Sequence, residues 1–154
     1  MTAKVRTCLW YDGKGEEAAE FYVSLMPNSG IESVFRPQPD GPALVVDFNL
    51  SGTPYQALNG GPQFRHSEAA SISVLTHDQE ETDRLWHALT ANGGSESMCG
   101  WIKDRYGVSW QIVPETLPRL LMDSDRAAAG RAMHAMLGMR KIDIAALEAA
   151  FRGA

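Results

Sequence analysis

The sequence is poor in cysteine and in positive charge, and it has no long apolar run. Its 154 residues include two cysteines, Cys8 and Cys99, which lie far apart and outside any metal-ligand spacing. The 14 Lys and Arg residues are scattered, and 19 Asp and Glu residues bring the net charge to −5. Nucleic-acid binding needs a positive patch, and a membrane span needs roughly 20 apolar residues. The composition therefore predicts no nucleic-acid partner and no membrane partner.

We expect no export signal in the first residues. The apolar stretch that follows Lys4 and Arg6 is broken by Asp12 and Gly13, so it is too short for the apolar region of a signal peptide. We therefore expect a cytoplasmic location with both cysteines reduced. Both cysteines fall in predicted strands, where an inert role in the core is expected.

Two similar series of secondary-structure elements follow one another. The first series is a strand over 5–11, a helix with an apolar stripe over 18–26, and strands over 31–36, 43–50 and 55–59. The second is a strand over 71–75, a helix after the capping residue Asp78, and strands over 97–100, 101–105 and 109–113. The repeat predicts an α+β fold of two βαβββ halves with helices after them.

We expect one domain over 1–154, with half one at 4–62, a linker at 63–69, half two at 70–114 and a helical tail at 115–154. In the tail, Ser124-Asp125 opens a helix that ends at Gly138, and Asp143 caps the last helix. The helix after Asp125 has little apolar surface, so it should dock on the body or on a partner. Four methionines are expected either in ordinary helix packing or in a subunit interface: Met122, Met133, Met136 and Met139.

Several segments resemble one known family. They are FYVSLMPNSGIESVF (21–35), ALNGGPQF (57–64), DRYGVSWQIVP (104–114) and AMLGMRKIDIAALEAAF (135–151). They resemble the PhnB-like branch of the vicinal oxygen chelate superfamily, which includes glyoxalase I, bleomycin-resistance proteins and extradiol dioxygenases. Members of this branch often carry the name 3-demethylubiquinone-9 3-methyltransferase. The resemblance implies a half-barrel sheet around a cavity and a homodimer.

The resemblance also implies where a metal would bind. Superfamily enzymes hold a divalent metal with four side chains, and the corresponding positions here are Thr7, Gln56, Ser71 and Gln111. None is His, Cys, Asp or Glu, the residue types that bind such ions well. We therefore expect no metal and no other cofactor.

The same strand faces are expected to bind a small molecule that remains unidentified. The candidate ligand-binding residues on this cavity face are Thr7, Asp47, Asn49, Gln56, Ser71, Ser73, Trp101 and Gln111. Ser109 has the same parity, and Leu9, Tyr11 and Val45 are expected as apolar walls. A few polar groups among apolar ones suit a partly apolar ligand. The alternative is that these polar groups only bond to each other and to water.

Other patterns have plainer interpretations. Asp12-Gly13-Lys14-Gly15 lies where methyltransferases place a cofactor loop, but a third glycine is missing, which favours an ordinary turn. Trp10, Trp86 and Trp110 are expected in the core, whereas Trp101 walls the pocket. The four histidines do not cluster and are expected at the surface: His66, His77, His87 and His134.

Three functions follow as hypotheses. The first is a metal-free binding protein for a small molecule. The second is a metal-dependent enzyme of the glyoxalase or dioxygenase kind, which needs the metal to polarise oxygen. The third is a 3-demethylubiquinone methyltransferase-like enzyme, which the missing cofactor loop disfavours. The sequence leaves open whether the chain catalyses a reaction.

Overall fold

The computed structural model describes residues 2–154. These residues divide into two compact units, of which the first ends at His66 and the second is Ser67–Ala154. Each unit has one open, mixed four-stranded sheet with a helix packed on it, and the second unit carries three further helices. The α+β class and the two βαβββ series are confirmed. That the units form one domain stays a prediction.

The first unit contains five elements: β1 (Thr7–Tyr11), α1 (Gly15–Leu25), β2 (Gly30–Phe35), β3 (Val45–Leu50) and β4 (Thr53–Asn59). The strand order is β1-β4-β3-β2. β1 runs parallel to β4, whereas β2, β3 and β4 form an antiparallel meander.

The second unit repeats this order. Its elements are β5 (Ser71–Thr76), α2 (Gln79–Thr90), β6 (Ser95–Glu96), β7 (Trp101–Lys103), β8 (Ser109–Pro114), α3 (Thr116–Leu121), α4 (Arg126–Leu137) and α5 (Ile144–Arg152). The strand order is β5-β8-β7-β6, with β5 parallel to β8. Both units therefore join their first strand to their last by parallel pairing.

The two faces of each sheet differ in chemistry. In β3 the alternate residues Val46, Phe48 and Leu50 are buried. Their face packs on α1, where Tyr22 lies with its ring centroid 6.4 Å from that of Phe48. In the second unit Trp110 is fully buried on the equivalent face. Since side chains alternate across a strand, the polar residues between these positions share the opposite face, which we call the open face.

One predicted strand is wrong. Residues 97–100 form a turn, in which Cys99 and Gly100 have φ angles of 58° and 85° and Trp101 N–H donates to the carbonyl of Met98 at 3.0 Å. The short strand of this region is β6, which begins earlier. The following strand ends at Lys103 rather than Arg105, because Asp104 begins the turn that Gly107 closes with a 3.0 Å backbone bond.

The tail helices begin where the sequence predicts. Asp125 accepts a hydrogen bond from the N–H of Ala128 at 3.0 Å, and Asp143 accepts one from Ala146 at 3.0 Å. Both are side-chain caps of the expected kind. The tail has its own buried cluster of apolar side chains, against which Val113 of β8 packs: Leu117, Leu120, Ala132, Ile142 and Leu147.

The four tail methionines do not share one environment. Met136 and Met139 pack against the buried tail cluster. Met122 and Met133 are 83% and 50% exposed. Two of the four therefore belong to ordinary packing, and two lie on the surface of the second unit. No helix within residues 2–154 combines the length and the apolar character that crossing a bilayer requires.

Candidate functional site

The open face of the first unit brings three predicted site residues together. Asp47 lies directly opposite Gln56 across β3 and β4, and the Nε2 of Gln56 donates to Oδ1 of Asp47 at 2.9 Å. Asn49 lies two residues along β3, where its Nδ2 donates to Oε1 of Glu32 at 3.4 Å. Its own Oδ1 accepts from Gly52 N–H at 3.2 Å. Asn49 therefore supports the β3–β4 turn as well as lining this face.

Thr7 does not belong to this group, and its predicted position is wrong. The parallel register places Thr7 beside Tyr55 and Cys8 beside Gln56. Thr7 therefore shares the face of Leu9 and Tyr11, which are buried at 8% and 4% exposure and form core rather than cavity wall. A shift of one residue in β1 moves every side chain to the other face.

Arg6 organises the polar end of this face, and sequence reasoning missed it. It forms an ion pair with Glu32, and its Nε lies 3.7 Å from Oδ2 of Asp47. Its Nη1 donates to the carbonyls of Phe48 and Tyr55 at 3.3 and 3.1 Å. A cavity of about 510 Å³ lies here, lined by Thr2, Arg6, Glu32, Ser33 and Asp47. The alternation of Arg6 with Cys8 and Trp10 was the available signal.

Cys8 is exposed rather than buried in the core as expected. Partial desolvation, and then the negative charge of Asp47, raise the pKa of the Cys8 thiol above its ordinary value. The thiol is therefore protonated at neutral pH and is a poor nucleophile. Cys99, half-buried, lies in the turn before β7 and not in a strand.

Trp10 lies on the open face and is half-buried rather than in the core. Its Nε1 donates to the carbonyl of Gly61 at 2.8 Å, and its ring lies T-shaped to that of Phe64 at 4.8 Å. A Cβ on Gly60 would come within 2.3 Å of the indole ring, so only glycine fits there. The Nε2–H of His66 donates to the backbone carbonyl of Trp10 at 2.7 Å. The indole therefore has a fixed position at the apolar end of the face.

The open face of the second unit carries the other four predicted residues. Ser73 and Trp101 flank Gln111 on either side in the strand register, and Ser71 lies beside Ser109. The Nε2 of Gln111 donates to Oγ of Ser71 at 3.0 Å. The Oγ of Ser109 is buried and has no hydrogen-bond partner within residues 2–154. Trp86 and Trp110 are in the core, as predicted.

The donor set of both faces does not suit a transition metal. Within residues 2–154, no three His, Cys, Asp or Glu side chains lie close enough to hold one ion. On the open face of the first unit, Glu32 and Asp47 are acidic, and both contact the guanidinium of Arg6. The amides and hydroxyls that remain are weak ligands for Zn²⁺, Fe²⁺ or Ni²⁺.

The segment Asp12-Gly13-Lys14-Gly15 is a turn that leads into α1. Gly13 has φ of 77°, and the N–H of Gly15 donates to Oδ1 of Asn59 at 2.7 Å. A Cβ on Gly15 would lie 2.8 Å from that oxygen, so this glycine is explained by packing. A second cavity of about 410 Å³ adjoins the turn, between the 37–44 loop and the end of β4.

Comparison with known proteins by sequence model and by solved structure indicates the same family. The sequence model of the family described as 3-demethylubiquinone-9 3-methyltransferase matches residues 3–113. The PhnB protein from Bacillus cereus is 32% identical, covers 73% of this chain and 99% of its own, and has a TM-score of 0.66. A search of curated proteins returned no match.

Two more distant structures share the fold alone. A protein from Pseudomonas aeruginosa is 22% identical over 74% of this chain and 98% of its own, with a TM-score of 0.60. The fosfomycin resistance protein FosX from Listeria monocytogenes is 15% identical over 80% and 99%, with a TM-score of 0.54.

Proposed function

The chain belongs to the 3-demethylubiquinone-9 3-methyltransferase (PhnB) family within the vicinal oxygen chelate superfamily, and we propose that it is a small-molecule binding protein that works without a metal. The ligand binds on the open faces of the two sheets. The residues involved are Asp47, Asn49 and Gln56 in the first unit and Ser71, Ser73, Trp101 and Gln111 in the second.

One observation carries this proposal. Each open face presents an amide whose nitrogen is held by a neighbour, Gln56 by Asp47 and Gln111 by Ser71. Within residues 2–154, neither Oε1 has a protein partner. Half-buried acceptors without partners are the kind of group that a ligand satisfies. The side chains beside them, Trp10 and Trp101, supply apolar area.

The alternative function is a metal-dependent enzyme of the glyoxalase or dioxygenase kind. The same fold in a mutant of the Listeria protein is complexed with Mn(II) and a dihydroxypropylphosphonic acid. That alternative requires ligands that the open faces here lack, since Glu32 and Asp47 are both already paired with Arg6. A methyltransferase-like activity is a further alternative. It is disfavoured because neither sheet has the doubly wound parallel layout and the 12–15 turn is explained by packing.

The test is elemental analysis of protein purified without a chelator or a His-tag. We expect well under one metal ion per chain. Native mass spectrometry of the same sample should show the protein mass without a metal, alone or with an organic adduct that heat releases. A metal close to one per chain, lost on chelation together with a measurable activity, would restore the enzyme alternative.

The remaining properties are proposed on composition and family. The chain acts in the cytoplasm as a homodimer, with a small molecule as its partner and without nucleic acid or membrane. The net charge of −5 and the absence of a basic block support the last point.

A further inference from the structure

The side-chain amide of Gln56 has a chemically fixed orientation. An aspartate side chain can only accept a hydrogen bond, so the group 2.9 Å from Oδ1 of Asp47 must be the NH₂ of Gln56. The usual ambiguity between the oxygen and nitrogen of an amide is therefore absent here. By contrast, the serine hydroxyl that contacts Gln111 could donate or accept. Gln56 thus presents its oxygen, an acceptor, to whatever lies on the open face.

The cation beside this pair is already engaged by two carboxylates and two backbone carbonyls. The Nη1 of Arg6 bonds to two backbone carbonyls, its Nη2 to Glu32, and its Nε faces Asp47. The side chain of Arg6 is 10% exposed. An incoming anion would therefore approach a guanidinium that is already paired with two carboxylates. It would also meet the second carboxylate, because Glu32 and Asp47 together exceed the charge of Arg6 by one.

Apolar side chains continue the same face away from this polar end. Leu58 lies between Trp10 and Val45 in the register, and Phe35 lies beside Val45. Phe35 is 58% exposed, and the other three are half-buried. The open face therefore changes from polar to apolar within two residues along each strand, from the pair Asp47–Gln56 to the pair Val45–Leu58.

We infer that the open face of the first unit selects a ligand with an apolar ring or chain and a polar end that donates hydrogen bonds without negative charge, namely an amine, an amide or an alcohol. The inference rests on the proposed function and names the ligand class for that site. Donor selection follows from the fixed acceptor of Gln56. Rejection of carboxylates and phosphonates follows from the excess carboxylate charge, because the one guanidinium is already paired with both Glu32 and Asp47.

The experiment uses three probes that share one phenyl ring and differ at the polar end: 2-phenylethylamine, 3-phenylpropionamide and 3-phenylpropionate. Binding to the full chain is followed by chemical-shift changes in ¹H–¹⁵N NMR at low salt. Fragments of this size bind with Kd on the order of 1 mM at best. We expect the amine and the amide to shift the resonances of β3 and β4, and the carboxylate to bind at least about tenfold more weakly.

Two variants test whether the preference for uncharged or cationic donors depends on Asp47 and Gln56. Asp47→Asn removes one negative charge and frees the amide of Gln56 to rotate, so the preference for amine over carboxylate should fall to about threefold or less. Gln56→Leu keeps the charges and removes the acceptor, so the amide should bind more weakly by a factor of about three to ten. Glu20→Gln, an exposed change on α1 on the other side of the sheet, is the charge-matched control and should leave all three affinities unchanged.

The outcomes are distinct. Equal or tighter binding of the carboxylate to the unchanged chain overturns the inference and leaves the proposed function standing. If none of the three probes shifts any open-face resonance at tens of millimolar, both the inference and the proposed function fail. Should Asp47→Asn not fold, as judged by thermal melting, the Gln56→Leu result decides the donor preference alone.

Discussion

Asp104 is the residue with the most concentrated set of hydrogen bonds in the second unit. Its carboxylate is 2% exposed and accepts from the N–H groups of Tyr106 and Val108 at 2.8 and 3.0 Å. Its other oxygen accepts from Nε1 of Trp110 at 2.8 Å. The side chain therefore fixes the turn between β7 and β8 and, through that turn, the register of Gln111.

We predict that Asp104→Asn destabilises the chain by about 2–4 kcal/mol, because the new NH₂ cannot accept from Trp110 and a buried donor is left unpaired. Denaturant unfolding of both proteins measures the difference. Asp40→Asn makes the same chemical change at an exposed position in the loop before β3, so it is the control. Trp110→Ala would be a poorer comparison, because it would also create a cavity. An Asp104→Asn protein as stable as the control would show that the turn forms without the carboxylate.

At the scale of single residues, the sequence predicted the turn at Gly107, and seven of the eight candidate residues lie on the open faces of their sheets. The prediction for Thr7 failed because the face on which a residue of a short strand lies depends on which residue of the partner strand it pairs with. Arg6 and Glu32 were missed for a related reason. The strand that carries Glu32 has a register shift between Ile31 and Ser33. No local sequence pattern predicts such a shift. Asn49 lies on the open face as well, although both ends of its side chain have protein partners.

At the scale of elements, Gln79 joins α2 to the tail. Its Nε2 donates to the carbonyl of Ile142 at 3.0 Å, and its Oε1 accepts from the N–H of Ile144 at 2.8 Å. Lys141 contacts Asp83 beside it at 2.8 Å. The hydrogen bond from Lys141, and then that from Gln79, lower the pKa of Asp83. The Lys141–Asp83 pair therefore adds a small stability to the folded chain. This stability is present above the pKa that Asp83 has in the unfolded chain, and it is lost as the pH falls through the lower pKa of the folded chain.

We predict that Leu147→Ala lowers the free energy of unfolding by about 2–5 kcal/mol, because Leu147 is fully buried in the tail cluster. Removal of residues 124–154 should reduce solubility as well, since it uncovers Leu117 and Leu120. Met133→Ala, at a half-exposed position on α4, is the control and should change stability by less than about 0.5 kcal/mol. Thermal melting compares the variants. A truncated chain with an unchanged Tm would show that the tail adds nothing to the fold.

Elements with their own local signals were predicted well. Asp78, Asp125 and Asp143 cap helices as expected, since a cap is defined by residues three positions apart. The strand expected at 97–100 was wrong because its conformation is set from a distance. The N–H groups of Cys99 and Gly100 bond to the carbonyls of Met139 and Arg140 in the tail. The sequence of a short segment does not reveal such a partner.

At the scale of the whole molecule, we predict a homodimer. Exposed apolar side chains lie on the edge strand β2, with Phe35 at 58%, and on the tail, with Met122 at 83% and Leu137 at 53%. A free strand edge and exposed apolar groups are commonly covered by a second copy. Sedimentation at micromolar concentration should report about twice the 16.9 kDa chain mass. A single species at the chain mass would contradict the prediction.

The family sequence model ends at residue 113, so α3, α4 and α5 lie beyond it. The proposed ligand-binding residues all lie within the matched part, whereas the tail contributes the buried cluster and the bonds to the 97–100 turn. We therefore expect changes in the tail to alter stability more than ligand choice.

The parallel pairing of β1 with β4 has a consequence for the order of folding events. Arg6 and Tyr55, which meet at this pairing, are separated by 49 residues, whereas β2, β3 and β4 pair with neighbours along the chain. Closing a loop of that length costs roughly 3 kcal/mol of chain entropy before any contact offsets it. The meander should therefore assemble first and β1 should dock on it late, after the rate-limiting barrier. Substitutions in β1, such as Leu9→Ala, would then accelerate unfolding while leaving the folding rate nearly unchanged.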